Sequence, residues 1–323
     1  MNQNKSEIWV TGCAQGIGHA TCRLLLDKGY RVLGMDIRTP AQEILQHHLF
    51  EFVELDLCSD EFYSRCVGLL HSKQPAGIIH CAGMGSMGAF GQIDLVHELR
   101  VIDLNVKATL KLLHGCTHAL DPNKACHILL LSSTAGRSLV PGMSVYSASK
   151  HFVSALALSL MHEWRIQKRP WRLSTLTPPP VRTSFRENMG LEERKKRILG
   201  VLMPESVAAD IIWVLDHPQQ NRITGWWQRF SFQCLRPLIP TRILAQKIYE
   251  ANNDILQVAN SDLNLGKAYR LLGHFARAKD SSRSAYDVGV SVGDLSDIEK
   301  SATDQEVQIS TFTSMQSKFD GKI

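Results

Sequence analysis

A chain of 323 residues that is 44% hydrophobic and 21% charged can bury a large core, which excludes a wholly disordered protein. Its net charge of +5 is far from the concentrated basic surface of a nucleic-acid binder, so no nucleic-acid partner is expected. Eight cysteines are scattered without a C-x-x-C pair, which reads as thiols in a reducing compartment rather than a disulfide frame. In chain order, the first residues reach the apolar run Ile8–Val10 at once and contain no secretory h-region. Strands are predicted at Ile8–Thr11, Arg31–Asp36, Phe50–Asp56, Gly77–Ala82, His127–Ser132 and Arg172–Thr177. Helical periodicity fills Ile17–Lys28, Leu95–Ala119 and Val145–Gln167 between them. Strand and helix in alternation predict an α/β fold: a doubly wound parallel sheet between two helical layers, with ligands at the C-terminal edge of the strands.

Residues 178–203 break the rhythm with Pro178-Pro179-Pro180 and the basic run Arg194–Arg197. A loop of that length in a compact domain reads as a substrate lid, and the basic run as a solvated helix face rather than a nuclear-targeting signal. A helix is expected from Pro204 to Asp216. Residues 222–250 mix Trp226, Trp227 and other apolar residues with arginines, as a flap over an apolar pocket or an interfacial segment. The catalytic domain is placed at 1–252. Residues 253–323 carry a net charge of −2, leaving +7 on the preceding part. Within this helical, partly disordered tail the spacing of Gly266, Ala278 and Ala285 resembles one tetratricopeptide repeat, a hairpin that would dock on the main domain or a protein partner; chance helical periodicity is the alternative. The longest apolar stretches, 128–131 and 153–161, fall short of the roughly 18 residues a membrane span needs, so membrane contact is at most peripheral and the expected location is the cytoplasm.

Three groups of residues carry chemistry. Thr11-Gly12-Cys13-Ala14-Gln15-Gly16-Ile17-Gly18 follows a strand and opens a helix. Its glycines allow a tight turn and a close backbone approach to a pyrophosphate at the helix N-terminus. Asp36 ends the second strand, where a carboxylate accepts from an adenosine ribose diol and repels a 2′-phosphate. Gln15 is neutral, so NAD is expected ahead of NADP, with Arg38 the nearby cation that favours a phosphate. Tyr146 and Lys150 share a helix face one turn apart. A lysine ammonium beside a cationic nicotinamide favours the phenolate and makes Tyr146 a general acid/base. Ser133 follows the fifth strand, where its hydroxyl reaches the same edge. No metal ligand set is read from the sequence.

With these residues, the chain resembles the short-chain dehydrogenase/reductase family over about residues 7–217. Thr-Gly-x-x-x-Gly-x-Gly stands at residues 11–18, Tyr-x-x-x-Lys at 146–150, and the family's serine at Ser133. The resemblance implies a Rossmann-like fold, catalytic Asn105, Ser133, Tyr146 and Lys150, and a cofactor held by Gly12, Gln15, Gly16, Ile17, Gly18, Asp36, Asp56, Leu57, Cys81, Ala82, Gly83, Asn105, Tyr146, Lys150, Val181 and Thr183. Asn105 inherits the role of holding a relay water, Asp56-Leu57 the adenine contact, and Thr183 the nicotinamide carboxamide. Departures are His80-Cys81-Ala82-Gly83 in place of Asn-Asn-Ala-Gly, Pro179 in place of the glycine after the sixth strand, and Trp226-Trp227 where Asp-Gly-Gly is usual. Homo-oligomers through residues 95–119 and 145–167 are implied by the same resemblance.

The expected activity is hydride transfer between NAD and a secondary alcohol or ketone. Met84, Met87, Leu139, Met143, Phe185, Met189 and Trp226 or Trp227 would line the pocket and suit an apolar small molecule such as a lipid, steroid or acyl chain. The alternative reading is a NAD-binding scaffold or regulatory protein whose tail binds a protein.

Overall fold

The computed structural model describes residues 5–185, 201–217, 221–225 and 229. Most of the 178–203 lid, most of the 222–250 flap, the whole 253–323 tail with its repeat-like hairpin, Arg194–Arg197, Met189, Trp226 and Trp227 lie outside the described residues, as does the boundary near 252.

The chain runs β1 (Lys5–Thr11), α1 (Gly16–Asp27), β2 (Tyr30–Asp36), the one-turn α2 (Gln42–Leu45), β3 (Phe50–Glu54), α3 (Phe62–Lys73) and β4 (Gly77–His80). It continues through α4 (Leu95–Ile102), a π-helical turn (Asp103–Ala108), α5 (Thr109–Ala119), β5 (His127–Leu131), a 3-10 turn (Thr134–Arg137), α6 (Ser144–Ile166), β6 (Arg172–Thr177), α7 (Pro204–Asp216) and β7 (Asn221–Ile223). The strands form one seven-stranded parallel sheet in the order β3-β2-β1-β4-β5-β6-β7. Strand order reverses between β1 and β4, so the loops after these two strands diverge and leave a crevice at their C-terminal ends.

Both sheet faces are apolar, as a parallel sheet covered on both sides requires. Trp9, Leu33, Met35, Ile78, Ile128 and Leu130 point to one face and pack under α3, α5 and α6. Ile8, Val10, Val32, Ile79, Leu129 and Leu176 point to the other and pack under α1 and α7. That two-residue alternation of destination within continuously apolar strands makes one segment serve two cores.

Two elements differ from expectation. Helix α3 is not among the helical segments expected from periodicity, although half of its twelve residues are apolar and its buried side chains Phe62, Cys66 and Leu70 recur every four residues. The predicted continuous helix over 95–119 is interrupted by the π turn at Asp103–Ala108. Such turns insert an extra residue per turn and are frequent at functional sites; this one carries Asn105. The cysteines among the described residues are all free, with Cys22, Cys66 and Cys116 buried. No helix among the described residues is long and apolar enough to cross a membrane.

Candidate active site

The loop after β1 is built by contacts only glycine allows. Gly12 has φ +70°, donates its N–H to Met35 O at 2.8 Å, and faces the next loop so closely that a Cβ would stand 2.8 Å from Ala82 N. A Cβ on Gly18 would run into the Gly12 carbonyl, and one on Gly16, at φ +58°, would meet the Thr183 methyl at 3.2 Å. The backbone cradle therefore has Gly12 against Ala82 on one side and Gly16 against Thr183 on the other. Gln15 occupies the N-cap of α1 without a side-chain cap hydrogen bond, so the first-turn N–H groups and the positive end of the helix dipole are left for an anion. A dinucleotide pyrophosphate fits this donor set.

Around the cradle, Asp36 accepts from Ala14 N at 2.9 Å and from Arg38 N at 3.0 Å, which fixes its carboxylate at the end of β2. Gln15 Oε1 accepts both from Arg38 Nη1, at 3.0 Å, and from Ser184 Oγ, at 3.1 Å. Arg38 is thus held along the rim beside Asp36. Asp56, just past β3, accepts from Cys58 N at 2.8 Å, whereas the Leu57 side chain is buried in the core and leaves only its backbone for a ligand. The triple proline keeps its carbonyls in use: Pro178 O accepts from Thr134 N at 3.0 Å and Pro180 O from Leu202 N at 3.0 Å, and Val181 bridges to Leu202. Pro179 therefore sits in an anchored turn.

Ser133, Tyr146 and Lys150 come together at the C-terminal edge of β5. The 3-10 turn that starts after Ser133 packs directly on α6: a Cβ on Gly136 would stand 2.6 Å from Lys150 O. Ser147 Oγ ties the two by donating to Ala135 O and Ser138 O at 2.8 and 2.9 Å. This contact brings the Ser133 hydroxyl into hydrogen bonding with Tyr146. Tyr146 is buried, with its ring 5.8 Å from that of Phe185. Lys150 Nζ donates to Leu131 O at 3.1 Å. Gly83 fits between Lys150 and Asn105, since a Cβ there would be 3.2 Å from both Lys150 Nζ and Asn105 Oδ1.

The electrostatics add something to the sequence expectation. Burial raises the Tyr146 phenol above its ordinary value, and the hydrogen bond with Ser133 opposes that rise. Burial lowers the Lys150 ammonium to about 8, with Cys81 opposing. In the folded chain the hydrogen bond that opposes the burial of Tyr146 comes from Ser133, and the Lys150 ammonium stands 6.0 Å from the centre of the Tyr146 ring. Lys150 thus keeps its charge near pH 7 but holds its proton less tightly than an exposed lysine, so an added positive charge or a hydrogen-bonding ligand beside it shifts that proton readily.

Residues 6–194 match the family model for short chain dehydrogenases. The chain belongs to the short-chain dehydrogenase family. It is an oxidoreductase of the NAD(P)-dependent kind. A short-chain dehydrogenase/reductase of Penicillium canescens is 30% identical over 243 residues, covering 68% of this chain and 92% of the relative. Among solved structures, 4-hydroxyisoleucine dehydrogenase complexed with NADH superposes with a TM-score of 0.59 at 21% identity, covering 69% of this chain and 98% of its own. A short chain dehydrogenase from Burkholderia cenocepacia in complex with NADP superposes at 0.63 and 18% identity, covering 76% and 99%. Both likenesses carry the fold.

This short-chain dehydrogenase places Asn105 differently from a free catalytic side chain. Its Oδ1 accepts from Met84 N at 3.0 Å, and its Nδ2 donates to Met84 O at 2.8 Å and to Ser149 Oγ at 2.9 Å. Ser149 in turn donates to Tyr146 O at 2.7 Å. The amide is spent on holding the loop after β4 against α6. Sequence reasoning did not single out Ser149, inside the Tyr-x-x-x-Lys motif, or Thr109, and it marked His80 only as a departure from the family's asparagine; His80 and Thr109 are both buried beside Asn105. No local pattern gives their roles, because those rest on contacts made in the fold.

Proposed function

We propose that this dehydrogenase interconverts a secondary alcohol and a ketone with NAD as the preferred cofactor, Tyr146 acting as general acid/base, Ser133 orienting the reacting oxygen, and Lys150 holding the ribose and supporting the phenolate. The observation that carries the reading is the meeting of Ser133, Tyr146 and Lys150 beside a glycine cradle at the strand edge. The bound nicotinamide supplies the hydride step. Gly12, Gly16 and the α1 N-terminus would hold the pyrophosphate, Ala82 and Gly83 would line the cradle beside it, and Thr183, which stands against Gly16, would hold the carboxamide. Tyr146 gives its proton to the ketone oxygen, or takes it from the alcohol, within reach of the Ser133 hydroxyl. Turnover followed by nicotinamide absorbance against a panel of ketones, with NADH and NADPH separately, tests it; no turnover with any secondary alcohol or ketone sinks it.

The NAD preference is supported by the Asp36 carboxylate, which two backbone amides hold at the end of β2, where it would face the adenosine ribose. Asp36→Ala removes the charge that opposes a 2′-phosphate while Arg38 remains 3.0 Å from Gln15. It is expected to shift the ratio of kcat/KM for NADH over NADPH towards NADPH by about tenfold or more, the size of one removed charge contact.

An apolar substrate is supported by Phe185 against Tyr146, with half-buried Met84, Met87 and Met143 and exposed Leu139 on the loops above. Phe90, 78% exposed, is a further large apolar side chain in the segment between β4 and α4. Self-association is supported by Leu95, Val96 and Leu99 of α4, Leu110 of α5 and Leu158 of α6, all large apolar side chains left exposed. Leu99→Glu is expected to lower the assembly size measured by sedimentation, with the monomer fold kept.

A further inference from the structure

His80 stands where the family resemblance places an asparagine, and it is fully enclosed: 3% of it is exposed. Its Nδ1 lies 2.8 Å from Thr11 Oγ1 on β1, and its Nε2 lies 3.1 Å from Thr109 Oγ1, the first residue after the π turn. Donor counting settles the direction of each bond. Thr109 Oγ1 spends its proton on Asn105 O, at 2.8 Å, so it can only accept from His80, and the ring proton sits on Nε2. Nδ1 then accepts from the Thr11 hydroxyl, whose oxygen is free to accept from Ala82 N at 3.2 Å. A single ordered chain runs from the Ala82 amide through Thr11, His80 and Thr109 to the carbonyl of Asn105. Neutral imidazole is the form this chain needs, and burial together with the Lys150 charge lowers His80 to about 3.

We propose that His80 is a positioning residue which holds the π turn of Asn105 in register with the loop after β4, and thereby sets the gap at Gly83 in which Lys150 sits. Among the described residues, the Asn105 side chain ties the turn to Met84 in the loop after β4, and the backbone carbonyl of Asn105 is linked to β4 through Thr109 and His80. Both β1 and β4 end in the crevice, so the histidine couples the floor of the cofactor cradle at Ala82 to the wall beside Lys150. An asparagine at this position keeps an acceptor for Thr11 and is too short to reach Thr109 as well. A glutamine offers an acceptor and a donor on one amide and can span both.

The consequence for catalysis rests on the oxidoreductase reading, so the test has one arm that does not. Amide hydrogen exchange of residues 103–110 is measured in the full chain without substrate, for wild type, His80→Asn, His80→Gln and Thr109→Val. Exchange in that segment is expected to rise about tenfold in His80→Asn and Thr109→Val, the scale of one buried hydrogen bond, and to stay near wild type in His80→Gln. Unchanged exchange in both His80→Asn and Thr109→Val overturns the proposal. In the second arm, kcat falls in the same two variants while KM and NADH affinity stay within about twofold, and His80→Gln restores it. A loss spread equally over NADH affinity, KM and melting temperature, without rescue by glutamine, assigns His80 a purely structural role and also overturns the proposal. If wild type reduces no ketone, the oxidoreductase reading fails while the exchange result still decides the role of His80.

Discussion

Tyr146→Phe is expected to cut kcat by about a hundred- to ten-thousandfold, the contribution of one positioned acid or base, with NADH affinity and melting temperature nearly unchanged. The ring is buried against Phe185 and keeps that packing when the hydroxyl is removed. Ser133 Oγ still accepts from Ala135 N, at 3.2 Å, and its half-buried hydroxyl proton, freed from Tyr146, can turn to water. Steady-state kinetics with stopped-flow NADH binding separates the two effects; turnover within about threefold of wild type removes Tyr146 from the acid/base role. Ser133→Ala has a distinct signature. Its hydrogen bond pulls the Tyr146 phenol down against burial, so its loss moves the alkaline rise of alcohol oxidation to higher pH as well as lowering kcat. The same rise in Tyr146→Phe should vanish instead of moving.

Acid is expected to destabilise the fold well before its carboxylates titrate. His80 and His127 are lowered from 6.5 to about 3 and about 4, burial being the largest cause in both; for His127 a backbone bond at Leu215 opposes it and Arg172 adds to it, while for His80 the Lys150 charge adds to it. The folded chain therefore keeps both rings neutral while the unfolded chain protonates them below about pH 6.5. Since the unfolded state binds more protons in this window, stability is full above 6.5 and falls as pH drops towards 4. Each histidine contributes a slope of about 1.4 kcal/mol per pH unit, so the pair costs a few kcal/mol by pH 5, a large share of a typical total of about 5–15 kcal/mol. Denaturant midpoints at intervals from pH 7.5 to 4.5 measure it. His127→Gln, which keeps a hydrogen-bonding amide for Ser174 Oγ, now 2.8 Å from Nε2, should halve the slope. A flat profile down to pH 5 would show that neither ring is held neutral.

Much of the site was legible because its determinants are short. The turn at residues 11–18 is written in glycines whose φ values and close approaches at Gly12 and Gly16 no other residue tolerates. Tyr146 and Lys150 are one helical turn apart, and six apolar runs with flanking turns announced six of the seven strands. The seventh, Asn221–Ile223, is only three residues long and polar at two of them, too little pattern to stand out from a turn. α3 was missed for a related reason: three buried side chains in twelve residues make a thin stripe.

By itself, then, the amino-acid order determined which segments are strands, where backbone must approach a phosphate closely, and which residues of α6 share a face, since each depends on neighbours within one or two turns. Only the tertiary structure decided how those parts act on each other. Ser133 opposes the burial of Tyr146 because the 3-10 turn is pressed onto α6 at Gly136. Asn105 is a clamp on Met84 because a π turn aims its amide at the loop after β4. His80 joins Thr11, 69 residues before it, to Thr109, 29 residues after it. Contacts between residues so distant exist only once β1, β4 and α5 lie side by side, and no periodicity along the chain encodes that adjacency.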